Sequence, residues 1–482
     1  MMKDLFLQGS LSQIRAAILD GRTSASEVAA FFLSRINMLD RAGPHLNCVR
    51  TIAPDVSAEA ARLDEAVRQG AMPGPLHGVP ILIKDNICVA GMTMSAGSAA
   101  LERFRPGKDA NLVRRLRAAG AIILGKTNLT EFADYVSDVM PSSFSGVSGH
   151  VRNPITGEHY GRGQGSSVGS AAAVAAGLAP VAIGSETQNS IQTPACMSSI
   201  VGLKPSVGAV SRTGVFPLVP SQDSPGVLAR SVEDAALVLS VLRGADLADS
   251  ATLEAAPFLI AEVDGGEPFS LGVPRLTIFE RPELAPALGR FLDCLAALKT
   301  AGVRIVDHCD PPAAHELLEV RSSVFPTEFK VAFETFMNDH GHPCGIASLH
   351  DLIAWNDAHP EAIPYGQSLL VNAQSSQGLD AARYLADRRA DITLSRTQGI
   401  DAALTAYGVD ALITPMSSAA KWTGKAGAPV IALPTGADAH GRPFGVTLFA
   451  RRFEDAKLIS IATRVENIIA QRLRPADESL TA

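Results

Sequence analysis

The sequence lacks any excess of basic residues. Lys and Arg number 42 against 49 Asp and Glu, giving a net charge of −7 and a pI near 5.9. The electrostatic footprint of a nucleic-acid binder is therefore missing from the bulk composition. Cysteine is sparse too. Cys48, Cys88, Cys196, Cys294, Cys309 and Cys344 are scattered, with no C-x-x-C pair, which argues against a disulfide framework and for a reducing compartment. No long apolar run is present. The longest, Ala171 to Gly184, contains Pro180 and falls short of the ~20 residues that cross a bilayer. The first ten residues carry Asp4 and no apolar core of signal-peptide length, so a cytoplasmic protein without a membrane partner is expected. Gly (41) and Pro (30) are too few for low-complexity disorder.

What is there is apolar content, 46% of 482 residues, enough for a large core. At roughly 150 residues per domain the length allows about three domains. No linker-like run divides the chain, however, and no internal repeat is found. One domain over 1–482 is expected, with residues 310–400 forming a mainly helical added layer.

Strand and helix patterns alternate along the chain. Ser24-Ala25-Ser26-Glu27 has capping-box spacing ahead of a helical pattern through Ile36. Val49–Ala53 reads as a short strand and Val56–Gln69 as a polar helix. Val79-Pro80-Ile81-Leu82-Ile83-Lys84 reads as a buried strand that ends on a lysine. A helix over Ala110–Ala119 and a strand over Ala121–Leu124 follow. Further on come a Gly/Ser loop (157–170), an Ala-rich helix, a strand at Val181–Ile183, a helix over Val232–Leu242, and late strands at Asp410–Pro415 and Val430–Pro434. This alternation predicts an α/β fold.

Two motif matches fail on physical grounds. Gly120–Thr127 (GAIILGKT) fits the phosphate-loop expression, but Ala-Ile-Ile-Leu between its glycines forms strand and cannot curl round a phosphate. Lys126 is then a structural or strand-end lysine. Gly165-Ser166-Ser167-Val168-Gly169 fits the nucleophile elbow of an α/β-hydrolase-like esterase, with Ser167 as nucleophile and Asp410 and His440 available as partners. An elbow needs a hydrophobic strand before it, and Tyr160-Gly161-Arg162-Gly163-Gln164 is not one. His340-Gly341-His342 near Cys344, and His308 beside Cys309, fit no metal-ligand spacing and read as exposed loop histidines.

Three further segments acquire meaning together: GVPILIKDNI (78–87), GQGSSVGSAAAVAAGLAPVAIGSET (163–187) with VGLKPSVG (201–208), and the stretch from Val430 to Glu466. They resemble the amidase signature family of serine hydrolases over most of the chain, least at about 245–400. The resemblance implies a single large mixed β-sheet covered by helices on both faces. By position it assigns Lys84 as base, Ser166 as bridging serine and Ser190, 24 residues on, as nucleophile. It also implies a cis Gly165–Ser166 bond, and an oxyanion hole made by the backbone N–H groups of Thr187, Gln188, Asn189 and Ser190.

The chemistry is intelligible from the residue types. Serine needs a base to become nucleophilic. A lysine is a base only when neutral, and burial at a strand end favours that form. Lys84 would relay through Ser166 to Ser190, and the acyl-enzyme would then be hydrolysed. No metal or cofactor is required.

The sequence departs from the family at its centre. Where the family writes Asp-Thr-Gly-Gly-Ser-Ile-Arg, this chain has Glu186-Thr187-Gln188-Asn189-Ser190-Ile191-Gln192. Either this turn stays in ordinary dihedral space or strain is accepted there. The change, with the missing basic surface, favours a free-standing amidase over the glutamine-dependent tRNA amidotransferase component. Tyr135, Met140 and Phe144 lie where the family builds its substrate pocket, as an apolar wall for an aryl or alkyl acyl group or as core. The expected partner is a small amide or carbamate (urethane), with ester hydrolysis also plausible, and the chain is expected to act as a monomer or homodimer. A member of the family that has lost catalysis and serves as a binding module is the competing reading.

Overall fold

The computed structural model describes residues 2–254, 267–276, 284–473 and 475. Alternating burial builds its centre. Ile81 and Ile83 point into one apolar cluster while Leu82, between them, points into another. That is the signature of a strand covered on both faces. Thirteen strands form among the described residues. The first seven are β1 (Val49–Ile52), β2 (Pro80–Lys84), β3 (Ile122–Thr127), β4 (Phe144–Ser145), β5 (Gly149–His150), β6 (Val181–Glu186) and β7 (Val201–Lys204). The remainder are β8 (Ser224–Ala229), β9 (Ser270–Val273), β10 (Arg304–Asp307), β11 (Ala411–Pro415), β12 (Val430–Ala437) and β13 (Pro443–Phe449).

Eleven of them make one mixed sheet in the order β1-β3-β2-β6-β8-β7-β12-β13-β11-β9-β10, and β4 and β5 pair separately. β2 lies between β3 and β6, parallel to both, with Ile83 opposite Ile183. Strands from residues 430–449 enter the sheet beside β7, so late sequence completes a layer begun by early sequence.

The helices form for local reasons the sequence displays. Ser24 accepts from the Glu27 N–H while Glu27 reaches back to Ser24, a complete capping box on the helix Ala25–Arg35. The helix Val168–Ala175, apolar except for Ser170, is buried along its whole length beneath β6, to which Ser170 Oγ donates at the Ile183 carbonyl (3.2 Å), as a helix without a polar face must be. Residues 314–407 are helical in several segments. Among the described residues no helix is long and apolar enough to cross a membrane.

The phosphate-loop match is a strand. Ile122–Thr127 is buried throughout. Lys126 Nζ lies 3.1 Å from Asp85 Oδ1 and donates to the Ile87 carbonyl at 2.6 Å. Of the histidines read as exposed, His308 and His342 are so, but His340 is half-buried, its ring stacked 4.1 Å from that of Phe336. No metal-holding group of three or more His, Cys, Asp or Glu occurs among the described residues.

Candidate active site

Lys84 closes β2 with its ammonium group inside the protein. Its Nζ donates to Ser166 Oγ at 2.7 Å and to Ser185 Oγ at 3.0 Å, and lies 3.2 Å from the Ser185 carbonyl. Asn86, two residues on, donates to the same Ser185 hydroxyl at 2.9 Å. Parallel pairing of β2 with β6 carries these groups to one end of the sheet. Burial pushes the Lys84 pKa down to about 7, against the pull of the Asp223, Glu186 and Asp134 carboxylates.

Ser166 is fully buried on the loop entering the helix Val168–Ala175. The Gly165–Ser166 peptide is trans, correcting the cis expectation, since the described residues contain no cis bond. The turn is made by Gly165 itself, at φ +85°. A Cβ there would lie 2.5 Å from Cδ of Pro194 and 2.9 Å from the Asn189 carbonyl oxygen, so only glycine fits.

Ser190 sits on the turn after β6. Its carbonyl accepts from the Ser167 N–H at 3.0 Å, which places the Ser190 turn directly against the serine loop. No hydrogen bond joins the Ser166 and Ser190 hydroxyls among the described residues. The backbone N–H groups of Thr187, Gln188, Asn189 and Ser190 donate to no protein acceptor among those residues. Four adjacent unused donors beside a serine form a ready site for a developing oxyanion.

The altered turn keeps ordinary dihedrals, because neither Gln188 nor Asn189 has positive φ. Both side chains are instead put to use. Asn189 Nδ2 donates to the Gly163 carbonyl at 2.9 Å, and Gln188 Nε2 to Gln222 Oε1 at 3.2 Å. Glu186 clamps the far side of the turn. It accepts from Ile191 N (2.6 Å), Gln192 N (2.9 Å) and Gln192 Nε2 (2.6 Å). Burial raises the Glu186 pKa, opposed chiefly by the ammonium of Lys204. Asp223 holds the near side, accepting from Thr187 Oγ1 at 2.6 Å and from Leu218 N and Val219 N at 2.8 and 2.9 Å.

Ser167 has a structural post. Its Oγ donates to the Ser185 carbonyl at 3.1 Å and accepts from the Ser185 N–H at 3.3 Å. No strand among the described residues leads into it. Its notional partners are elsewhere: Asp410 binds Ser270 and Lys457, and His440 is exposed in the β12–β13 connection.

Tyr135, Met140 and Phe144 are buried in the main apolar cluster. Tyr135 packs on Phe325 and Phe329, and Phe144 on His150 and Tyr365. A cavity of about 1320 Å³ reaches the site at Asp223 and is also lined by Arg212, Glu328, Phe336, Tyr384 and Arg388, but by none of those three. Sequence reasoning missed Asp223, Ser185, Asn86 and Asp134 as members of the site. Asn86 alone carried a local signal, two residues beyond Lys84.

Comparison with known proteins places the chain in a family. The sequence profile of the amidase family matches residues 27–425. A probable amidase of Arabidopsis thaliana is 31% identical over 97% of this chain and 91% of that protein. A glutamyl-tRNA(Gln) amidotransferase component from Symbiobacterium thermophilum is 32% identical over 97% and 98%. The crystal structure of native peptide amidase from Stenotrophomonas maltophilia superposes with a TM-score of 0.88 at 37% identity, covering 98% of this chain and 99% of that one. A peptide amidase bound to the competitive inhibitor chymostatin gives a TM-score of 0.90, also at 37% identity, over 97% and 99%.

Proposed function

The chain belongs to the amidase family, and on that footing we propose that it is a free-standing serine amidase whose nucleophile is Ser190. The observation that carries the reading is the Lys84–Ser166 hydrogen bond, 2.7 Å and fully buried, beside a serine turn with four unused N–H groups.

Neutral Lys84 takes the Ser166 hydroxyl proton as Ser166 takes that of Ser190, and Ser190 Oγ bonds to the substrate carbonyl carbon. The carbonyl electron pair moves onto oxygen, where the N–H groups of 187–190 receive it. When the C–N bond breaks, the relay returns the proton to the departing nitrogen, giving a neutral amine or ammonia. Water then repeats the attack on the acyl-enzyme and releases the acid. The Ser166–Ser190 leg closes when substrate is bound, as catalytic hydrogen bonds commonly tighten from the free enzyme. Each oxyanion donor is worth roughly 3–4 kcal/mol of barrier.

Amides are the first substrate class, supported by the peptide amidase structures at 37% identity. Esters and aryl carbamates offer the same electrophilic carbon and fall within the same mechanism. The expected setting is cytoplasmic, with no nucleic-acid partner, in keeping with the net charge of −7. A panel of primary amides, nitroanilides, esters and aryl carbamates tests the range. Turnover of amides that vanishes in Ser190→Ala is expected. Turnover of primary amides alone would remove the carbamates, and no amide turnover would overturn the reading.

A further inference from the structure

Three side chains that the mechanism does not use meet at the wall of the cavity. Cys88 is buried on the segment that follows Lys84. Its Sγ donates to Met94 Sδ at 3.6 Å and lies 4.0 Å from His340 Nε2. Cys88 and His340 both line the cavity, so a small ion inside it reaches them. The imidazole is fixed from several sides. Its ring stacks 4.1 Å from that of Phe336 and stands edge-on to Phe104 at 5.4 Å. His340 Nδ1 bonds the Phe336 carbonyl at 2.8 Å. A carbonyl only accepts, so Nδ1 holds the proton of the neutral ring, and Nε2, the nitrogen facing Cys88, keeps a bare lone pair. This is the arrangement in which a histidine ligates a metal, its other nitrogen oriented by a backbone carbonyl.

A thiol, a thioether and an imidazole nitrogen are soft or borderline donors, and soft sulfur ligands select Cu(I). With bonds of about 2.3 Å to sulfur and about 2.0 Å to nitrogen, a planar three-coordinate ion sets two sulfurs about 4.0 Å apart and sulfur and nitrogen about 3.7 Å apart. The observed 3.6 Å and 4.0 Å each differ from these by less than half an ångström. No carboxylate is needed; the thioether completes a set that His, Cys, Asp and Glu alone do not make among the described residues. We propose that Cys88, Met94 and His340 form a binding site for a soft monovalent cation of the Cu(I) type, open to the cavity. Burial pushes the Cys88 thiol up to about 12, so it carries its proton in the free protein. On binding, the S–H proton leaves to solvent, a sulfur–metal bond forms, and no electron is transferred. The site uses none of Lys84, Ser166 and Ser190, so it stands or falls independently of the amidase reading.

Copper competition tests it. Cys344 is the exposed thiol, whereas Cys48, Cys196, Cys294 and Cys309 are buried, so the reference protein carries Cys344→Ser. Cu(I) is supplied without oxygen as its bicinchoninate complex, and transfer is read from the loss of the complex's colour. One equivalent is expected to move to the reference protein. Met94→Leu keeps the apolar bulk, and His340→Phe keeps the stack on Phe336. Each is expected to weaken retention at least about tenfold, the lower end of what even an outer-shell partner contributes. Unchanged retention in either variant, or no transfer to the reference protein, would overturn the proposal. X-ray absorption of the copper-loaded reference protein needs no core substitution. Two sulfurs and one nitrogen around copper are expected, and a shell without nitrogen or with a single sulfur would overturn it.

Discussion

Lys84 Nζ and Ser166 Oγ are 2.7 Å apart, and neither side chain has any exposure to solvent. Burial of this kind is costly for a charged ammonium and favours the neutral amine. Lys84→Met should therefore lower kcat by about 10²–10⁴, the range for loss of a general base, while the melting temperature falls modestly because the buried Ser166 and Ser185 acceptors lose their donor. Steady-state kinetics with thermal denaturation checks both. Wild-type rates in Lys84→Met would remove the lysine from the mechanism.

The pH profile follows from the same group. Only neutral Lys84 is a base, and its pKa is brought down to about 7 by burial. Activity should rise with pH through about 7 and level off above it. Asp223 supplies the strongest electrostatic pull in the opposite direction. Removing that charge in Asp223→Asn disfavours the ammonium further, so the rise should move to lower pH. A shift to higher pH would contradict the assignment.

Glu186 organises the turn from beneath with three accepted hydrogen bonds of 2.6–2.9 Å. Hydrogen bonds to a charged group contribute about 1.5–3 kcal/mol each. Glu186→Ala should cost several kcal/mol of stability, seen in chemical denaturation, and should reduce kcat more than it raises KM if the N–H groups of 187–190 serve as the proposed oxyanion donors.

Gly165→Ala tests the serine loop. The new Cβ meets Pro194 Cδ at 2.5 Å and must adopt φ +85°. The left-handed conformation alone costs about 1–2 kcal/mol. Loss of stability together with loss of activity is expected, and an unperturbed enzyme would mean that the loop takes another path.

Much of this was legible in the sequence because it is local. β2 announces itself as an apolar run ending on lysine, and the helix Ala25–Arg35 by its capping box. β8 was hidden by Pro225 and Gly226. Proline is tolerated there because β7 pairs only from Val227 onward, leaving the Pro225 end with β6 as its single neighbour. β9 and β10, of four residues each, carry no period to read. Within the site, Lys84, Ser166 and Ser190 stood out through the family resemblance. Asp223 did not, since its link to Thr187 spans 36 positions and exists only in the folded sheet. The trans Gly165–Ser166 bond corrects what the resemblance implied.

Covalent trapping of the nucleophile tests the central claim most directly. The folded protein is treated with a fluorophosphonate, digested and mapped by mass spectrometry. One adduct is expected, on Ser190, lost in Ser190→Ala and strongly slowed in Lys84→Met. An adduct on Ser167 would make the elbow serine the nucleophile, and no adduct on the folded protein would make the chain a binding module that has lost its chemistry.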